Sequence, residues 1–363
     1  MAVVAPTSTD GPTAARTSPV RLRVGTLTAM LNAELADHPV YEAFELQWFD
    51  DEAHGTGMLA FLSRREGRTV DYYAQPGLRL DPRAYSLGGG TRSWSTTHFD
   101  VASLTVGQDG VSAHVRFTDV DGRVVEVDVD DRDGRARRRG GLLAPVGAAI
   151  TEPTSLLLVW MPAFDLVRRV PGRPPLVRID GEAAAVGTLP GARLHRRHLI
   201  KYAAPLVTVE VNRDDDVRSG PPGDEATEVA PDGGTHAVTA VGHGPDGDHS
   251  ATVRFAPPFP APGGTSAGTW MADVDGTRLT GGTWSVRADG DARVVTLRVT
   301  QRWRPRRLPL LMRVVTTVVP VFRRWPTTYA WRGTLAPDGS VTAGGWSRTG
   351  REDGTGYRRV TGS

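Results

Sequence analysis

The chain contains no cysteine. This absence excludes a disulfide framework, a thiolate zinc site, an iron–sulfur cluster and a cysteine nucleophile. Any metal site would have to be built from histidine and carboxylates alone, and the spacing of those residues suggests none. Lysine is nearly absent too. Lys201 is the one lysine among 43 basic residues, so lysine Schiff-base chemistry has no other residue to use. A single arginine means little in a chain so skewed to arginine. Long hydrophobic runs are also missing. The most apolar stretch, Leu308 to Phe322, is too short to span ~30 Å of hydrocarbon as a helix, and it carries Pro309, Arg313 and Pro320. Residues 1–20 lack the charged start and apolar core of a signal peptide. These absences point to a soluble, cytoplasmic protein with no transmembrane helix and no recognisable cofactor fingerprint, hence no expected cofactor.

What the chain has in abundance is turn chemistry. It carries 42 Gly and 27 Pro in 363 residues, and the dipeptide Asp-Gly occurs eleven times. Glycine carries no Cβ penalty at the positive φ of a tight hairpin, so Asp-Gly between alternating apolar runs marks antiparallel turns. One such unit is Val111 to Phe117, Asp121-Gly122, then Val124 to Val129. Another is Trp270 to Val274, Asp275-Gly276, Leu279 to Val286, Asp289-Gly290, then Val294 to Trp303. The pattern predicts an antiparallel meander. Helix signals are sparse. Thr26 to Ala36 is compatible with a short helix, whereas the valines of Leu308 to Phe322 favour strand. Two stretches read as loops, Asp130 to Gly147 and the acidic, Pro/Gly-rich Arg213 to Thr235.

The resulting division is a disordered tail and short helix over 1–37, a first β domain over 38–212, a linker or long loop over 213–234 and a second β domain over 235–363. Met161-Pro-Ala-Phe164 followed by Arg168 and Arg169 is echoed by Val319-Pro-Val-Phe322 followed by Arg323 and Arg324, which suggests two similar halves. The predicted fold class is all-β, with two tandem antiparallel barrels or strongly curved sheets.

Phe44-Glu-Leu-Gln-Trp-Phe-Asp50 resembles the opening strand of the tandem lipocalin-like family that includes AttH proteins and carotenoid 1,2-hydratases. Phe44, Glu45, Phe49 and Asp50 match its pattern, with Trp48 as an aromatic replacement, while Leu46 and Gln47 depart from it. Gly57 to Leu62 fits the second strand of that family. Its later Gly-rich segment survives only in degraded form as Gly187-Thr-Leu-Pro-Gly191 with His195 and His198, and the Trp-Gly pair is missing. The resemblance implies a lipocalin-like fold that binds greasy ligands, and in some members hydration or cyclisation of isoprenoids or polyketides.

Several residues are candidates for chemistry. Gly264-Thr-Ser-Ala-Gly268 matches a nucleophile elbow, but the elbow needs a strand before it and a helix after it. Proline-rich chain precedes Ser266 and a strand is expected after it, so Ser266 reads as a loop residue. Glu45 and Gln47 share a strand face with Phe49. If that face is interior, the Glu45 carboxyl is a general acid in apolar surroundings; if not, Glu45 is solvated. His198 is in step with Leu194, Ile200 and Tyr202, which makes it either a core histidine or a proton donor in a lipid-sized cavity. The large aromatics Trp48, Phe49, Trp160, Trp270, Trp284 and Trp303, with Tyr202, are the expected ligand-lining residues.

Ten arginines and no acid lie between Asp291 and Asp338, among them Arg302, Arg304, Arg306 and Arg307. They form either a solvated face or a contact for an anionic ligand or membrane surface. Nucleic acid is the least favoured partner, since the net charge is only +2. The sequence therefore points to a small hydrophobic ligand that is bound, or converted by cofactor-free hydration, cyclisation or isomerisation. The alternative is a lipid carrier or membrane-surface accessory protein.

Overall fold

In the computed structural model, the described residues are 18, 20–67, 69–82, 85, 87, 91–145, 153–187, 197–214, 225–303, 308, 310–318, 322, 324–337 and 339–349. The protein is all-β, as the hairpin pattern predicts. Three sheets account for nearly all of its regular structure.

The first sheet has ten strands. They are β1 (Leu22–Leu27), β2 (Ala29–Glu34), β3 (Tyr41–Asp51), β4 (Gly55–Arg64), β5 (Thr69–Ala74), β6 (Thr91–Thr96), β10 (Gly140–Ala144), β11 (Leu156–Arg168), β14 (Arg197–Ala203) and β15 (Leu206–Val211). Their spatial order is β1-β15-β11-β14-β2-β3-β4-β5-β6, with β10 beside β11. All pairs are antiparallel except β5 with β6. The sheet curls into a half-barrel. The second sheet has five strands in the order β13-β12-β9-β8-β7. These are β7 (Phe99–Gly107), β8 (Gly110–Thr118), β9 (Val124–Asp130), β12 (Leu176–Ile179) and β13 (Glu182–Ala183). The third is an uninterrupted eight-stranded meander: β16 (Ala226–Val229), β17 (Thr235–Gly244), β18 (Gly247–Phe259), β19 (Ser266–Val274), β20 (Thr277–Asp289), β21 (Ala292–Gln301), β22 (Tyr329–Leu335) and β23 (Val341–Arg348).

Strand alternation distributes the apolar side chains over three cores. On β11, Leu156, Leu158 and Trp160 pack with Trp270, Trp284 and Trp331 of the third sheet. On β2 and β3, Leu31, Ala33, Phe44 and Leu46 pack with Val115, Phe117 and Val127 of the second sheet. The outer face of the curled sheet is thus covered by both other sheets. Its inner face gathers Leu27, Met30, Phe49, Leu59, Tyr72, Val159, Phe164 and Ala203 into a third cluster. The first core joins residues on both sides of the 213–234 segment. Trp346 Nε1 reinforces that seam, donating to the carbonyls of Val211 at 2.9 Å and Asn212 at 3.0 Å.

Four local expectations need correction. Thr26 to Ala36 is not a helix, because β2 pairs with β14 on one side and β3 on the other. Leu308 to Phe322 is not a strand: Leu310–Val318 forms helix α1. Strand β21 is already paired on both edges, by β20 and β22, so this segment cannot extend the meander beside the strand that precedes it. Within the expected loop 130–147, Gly140–Ala144 is strand β10, paired with β11. Gly141 is required there, since a Cβ would sit 2.2 Å from the Trp160 ring. Within the expected linker, Ala226–Val229 pairs with β17, while 215–224 lie outside the described residues. So does most of the echoed segment near Val319. No helix among the described residues is long and apolar enough to cross a membrane.

Candidate functional site

The inner face of the curled sheet is ordered in rows, because directly paired residues of neighbouring strands point to the same side. One row runs Phe164, Ala203, Met30, Gln47, Leu59, Ala74. Every member of it is buried. The adjacent row runs Leu166, Lys201, Asn32, Glu45, Phe61, Tyr72, Trp94. Here burial breaks down at the centre: Lys201, Asn32 and Glu45 are half-buried, and Glu34, one step further out on β2, is exposed. The Glu45 row is therefore the transition between buried, largely apolar rows and the exposed ends of the strands.

Glu45 is held from two sides. Asn32 Nδ2 donates to its Oε2 at 3.1 Å and Gln47 Nε2 to its Oε1 at 2.5 Å. Gln47 is fully buried, and its own Oε1 accepts from the Tyr85 hydroxyl. Burial pushes the Glu45 carboxyl up to about 7, against the opposing pull of the two amide donors and the Lys201 ammonium. Desolvation of the charged form outweighs hydrogen bonding to it. The carboxyl is consequently poised to exchange a proton near neutrality.

Beside Glu45 the row becomes aromatic. Tyr72 stacks on Trp94 with ring centroids 5.0 Å apart and meets Phe61 at 5.2 Å and Tyr85 at 5.9 Å. Leu78, Leu80 and Leu87, from the chain between β5 and β6, pack onto the same cluster, as does Leu308 ahead of α1. The face thus offers one carboxyl, one ammonium and two amides next to a wall of rings.

The sequence candidates do not all meet here. Glu45 and Phe49 belong to this face; Phe49 lies deeper, buried against the same cluster. Trp48 points the other way and packs against the core under the second sheet, as does Tyr202. His198 has Asp131 and Arg169 as its charged neighbours, and Asp131 pairs with the Arg137 guanidinium that also donates to the Tyr202 hydroxyl at 3.1 Å. His198 is therefore on the side of the sheet opposite to Glu45. Its pKa is lowered, first by burial and then by Arg169, against the pull of Asp131. Its Nε2 has no hydrogen-bond partner among the described residues.

Trp270 and Trp284 lie in the packed core beneath the third sheet, their indole N–H groups bonded to the carbonyls of Arg298 and Thr269. Trp160 and Trp303 meet edge to face at 6.1 Å, and Trp303 touches both that core and the inner-face cluster. Arg302 donates to the Thr316 carbonyl of α1 at 3.3 Å; Arg304, Arg306 and Arg307 lie outside the described residues. Ser266 opens strand β19, so the helix a nucleophile elbow needs is absent after it.

Sequence reasoning missed Asn32, Tyr85 and the neighbourhood of Lys201. Alternation along β3 puts Glu45, Gln47 and Phe49 on one face, but only the pairing of β2 and β14 beside it shows what else that face contains. Among the described residues, no group of three His, Asp or Glu side chains is arranged to hold a metal ion. No family model, curated protein or solved structure matches the chain.

Proposed function

We propose that the inner face of the curled sheet binds a small hydrophobic metabolite and that Glu45 exchanges a proton with it. The observation that carries this reading is a single carboxyl raised to about 7 at the border between an apolar, aromatic cluster and the exposed ends of the strands. A neutral carboxyl there can protonate an alkene or carbonyl carbon skeleton. The resulting cation takes up water and loses a proton, giving hydration; is attacked by an internal π bond to form a ring cation that then loses a proton, giving cyclisation; or loses a different proton directly, giving isomerisation. In each case the proton lost returns to the Glu45 carboxylate, so the carboxyl is regenerated. The similarity of Phe44 to Asp50 to the opening strand of the lipocalin-like hydratases agrees with an isoprenoid, polyketide or lipid-like substrate.

The experiment is a pair of measurements on wild type and Glu45→Gln. Nile red should bind both with a saturable, roughly one-to-one fluorescence change. Conversion of members of an isoprenoid and polyketide panel should fall ~10²-fold or more in the variant, the scale of a lost general acid. Binding without conversion by either protein would identify a carrier. Absence of saturable binding by folded protein would overturn the reading.

A further inference from the structure

We infer that Lys201 anchors the oxyanion of an amphipathic ligand, a carboxylate or enolate whose apolar body lies along the inner face of the curled sheet. This deepens the proposed function and rests on it.

Three observations converge on Lys201. First, it is the chain's single lysine, and it stands in the same cross-sheet row as Glu45, with only Asn32 between them. Two strand spacings put their backbones about 10 Å apart, a gap that a ligand head group bridges. Second, Lys201 sits where exposure changes along β14, β2, β3 and β4. Ala203, Met30, Gln47 and Leu59 on the inward side are buried, while Leu199, Glu34 and Ser63 on the outward side are partly or fully exposed. A ligand matching this gradient has an apolar body on the buried rows and a polar end toward the exposed ends of the strands. Third, the partner Lys201 has is a weak one. Its Nζ is 3.4 Å from Glu34 Oε1, and the Glu34 side chain is 71% exposed. Exposed pairs of this kind contribute little and exchange readily. An oxyanion delivered by a bound, partly desolvated ligand competes well with Glu34, because charge-assisted bonds strengthen away from water.

The other charged groups near Lys201 fit this assignment. Glu34 and Glu45 are the carboxyls beside Lys201 on β2 and β3. Arg197, also on β14, pairs with the buried Asp165 at 3.0 Å on the Tyr202 side of the sheet, away from Glu45. Among the described side chains of the Glu45 row, Lys201 is the one cation, and its only ion pair is with the exposed Glu34. With Glu45 neutral, this row has one ammonium to meet the oxyanion and one carboxyl to donate to it.

The test uses cis-parinaric acid and its methyl ester as fluorescent probes, titrated into the full-length protein below about pH 7. The acid should bind about tenfold or more tightly than the ester, the scale of one hydrogen bond to a charged group. Lys201→Met should abolish that preference by weakening the acid alone, and Lys201→Arg should largely keep it. Because no other lysine exists, acetylation of wild type with an amine-reactive ester can be followed at Lys201 by peptide mass. The acid should protect Lys201 and the methyl ester should not. Saturable binding with an equal preference in wild type and Lys201→Met, or acetylation unaffected by the acid, overturns the anchor and leaves the ligand face standing. Failure of both probes to saturate overturns the anchor together with the proposed function.

Discussion

Asn32 and Glu45 face each other across β2 and β3, and the Asn32 amide donates to the Glu45 carboxyl at 3.1 Å. Even with that donor and Gln47, the carboxyl is raised from 4.5 to about 7 by burial. The folded state therefore holds a proton that the unfolded chain releases between about pH 4.5 and 7. The contribution of Glu45 to stability should be greatest below that window and fall as pH rises through it, by on the order of 3 kcal/mol for a shift of this size. Glu45→Gln should remove this slope. Urea unfolding of both proteins across the window checks it, and parallel curves would show that Glu45 is not the titrating group.

On the far side of the same strand, Tyr41 donates its hydroxyl to Asp119 at 2.7 Å. The second oxygen of Asp119 accepts the backbone N–H groups of Asp121 and Arg123 at 2.9 and 2.8 Å. Arg123 adds an ion pair at 3.0 Å, and the guanidiniums of Arg64 and Arg123 each lie 5.6 Å from the Tyr41 ring centre. One side chain thus ties the β8–β9 turn to the curled sheet. Asp119→Ala should cost about 2–4 kcal/mol, since it strands buried donors. Tyr41→Phe, which removes one bond, should cost about 1 kcal/mol. Chemical denaturation of the two variants should reproduce that order.

The curled sheet and the eight-stranded sheet share a core, with Leu22, Leu158 and Val209 packed among Val253, Trp284 and Leu297. Separating the sheets would expose that whole apolar layer, so they should unfold together. Tryptophan fluorescence and far-ultraviolet circular dichroism should give one coincident transition in urea. A fragment of residues 235–363 should fail to fold as a soluble monomer. Trp284→Ala should lower stability by about 3–5 kcal/mol, as expected for truncating a buried indole, without splitting the transition.

The hairpins were legible in the sequence because their chemistry is local. Nine of the eleven Asp-Gly glycines have φ between 60 and 151°, and Asp180 and Asp275 themselves adopt positive φ. The conformation is decided by two adjacent residues. The strand β2 was not legible because five of the six residues of Ala29-Met-Leu-Asn-Ala-Glu34 are good helix formers, which masks the alternation of Ala29, Leu31 and Ala33 with Met30, Asn32 and Glu34. Its identity comes from partners elsewhere in the chain, at β3 and β14. Helix α1 fails in the opposite sense: its valines favour strand, but β21 and β22, the strands that flank it in the chain, are each already paired on both sides. The site was half legible. Alternation grouped Glu45 with Gln47 and Phe49, yet the choice between interior and solvent depended on which face the sheet curls around. The pairing of Lys201 with Asn32 joins segments far apart in sequence, so no local pattern could reveal it.

His198 provides the sharpest separation between a structural and a chemical role. It lies beside Asp131, across the sheet from Glu45, with an imidazole pKa lowered mainly by burial. Since folding disfavours its charged form, the unfolded chain binds the extra proton, and this group should reduce stability as pH falls below about 6.5. His198→Gln is neutral at every pH and keeps much of the side-chain volume. The variant should therefore lose less stability than wild type on going from about pH 7 to pH 5. Because a sheet separates this side chain from the Glu45 face, the same variant should bind Nile red within about twofold of wild type and retain any conversion that Glu45→Gln abolishes. A fall in conversion of ~10²-fold in His198→Gln, with the protein still folded and Nile red still bound, would instead place the proton transfer on the Asp131 side of the sheet.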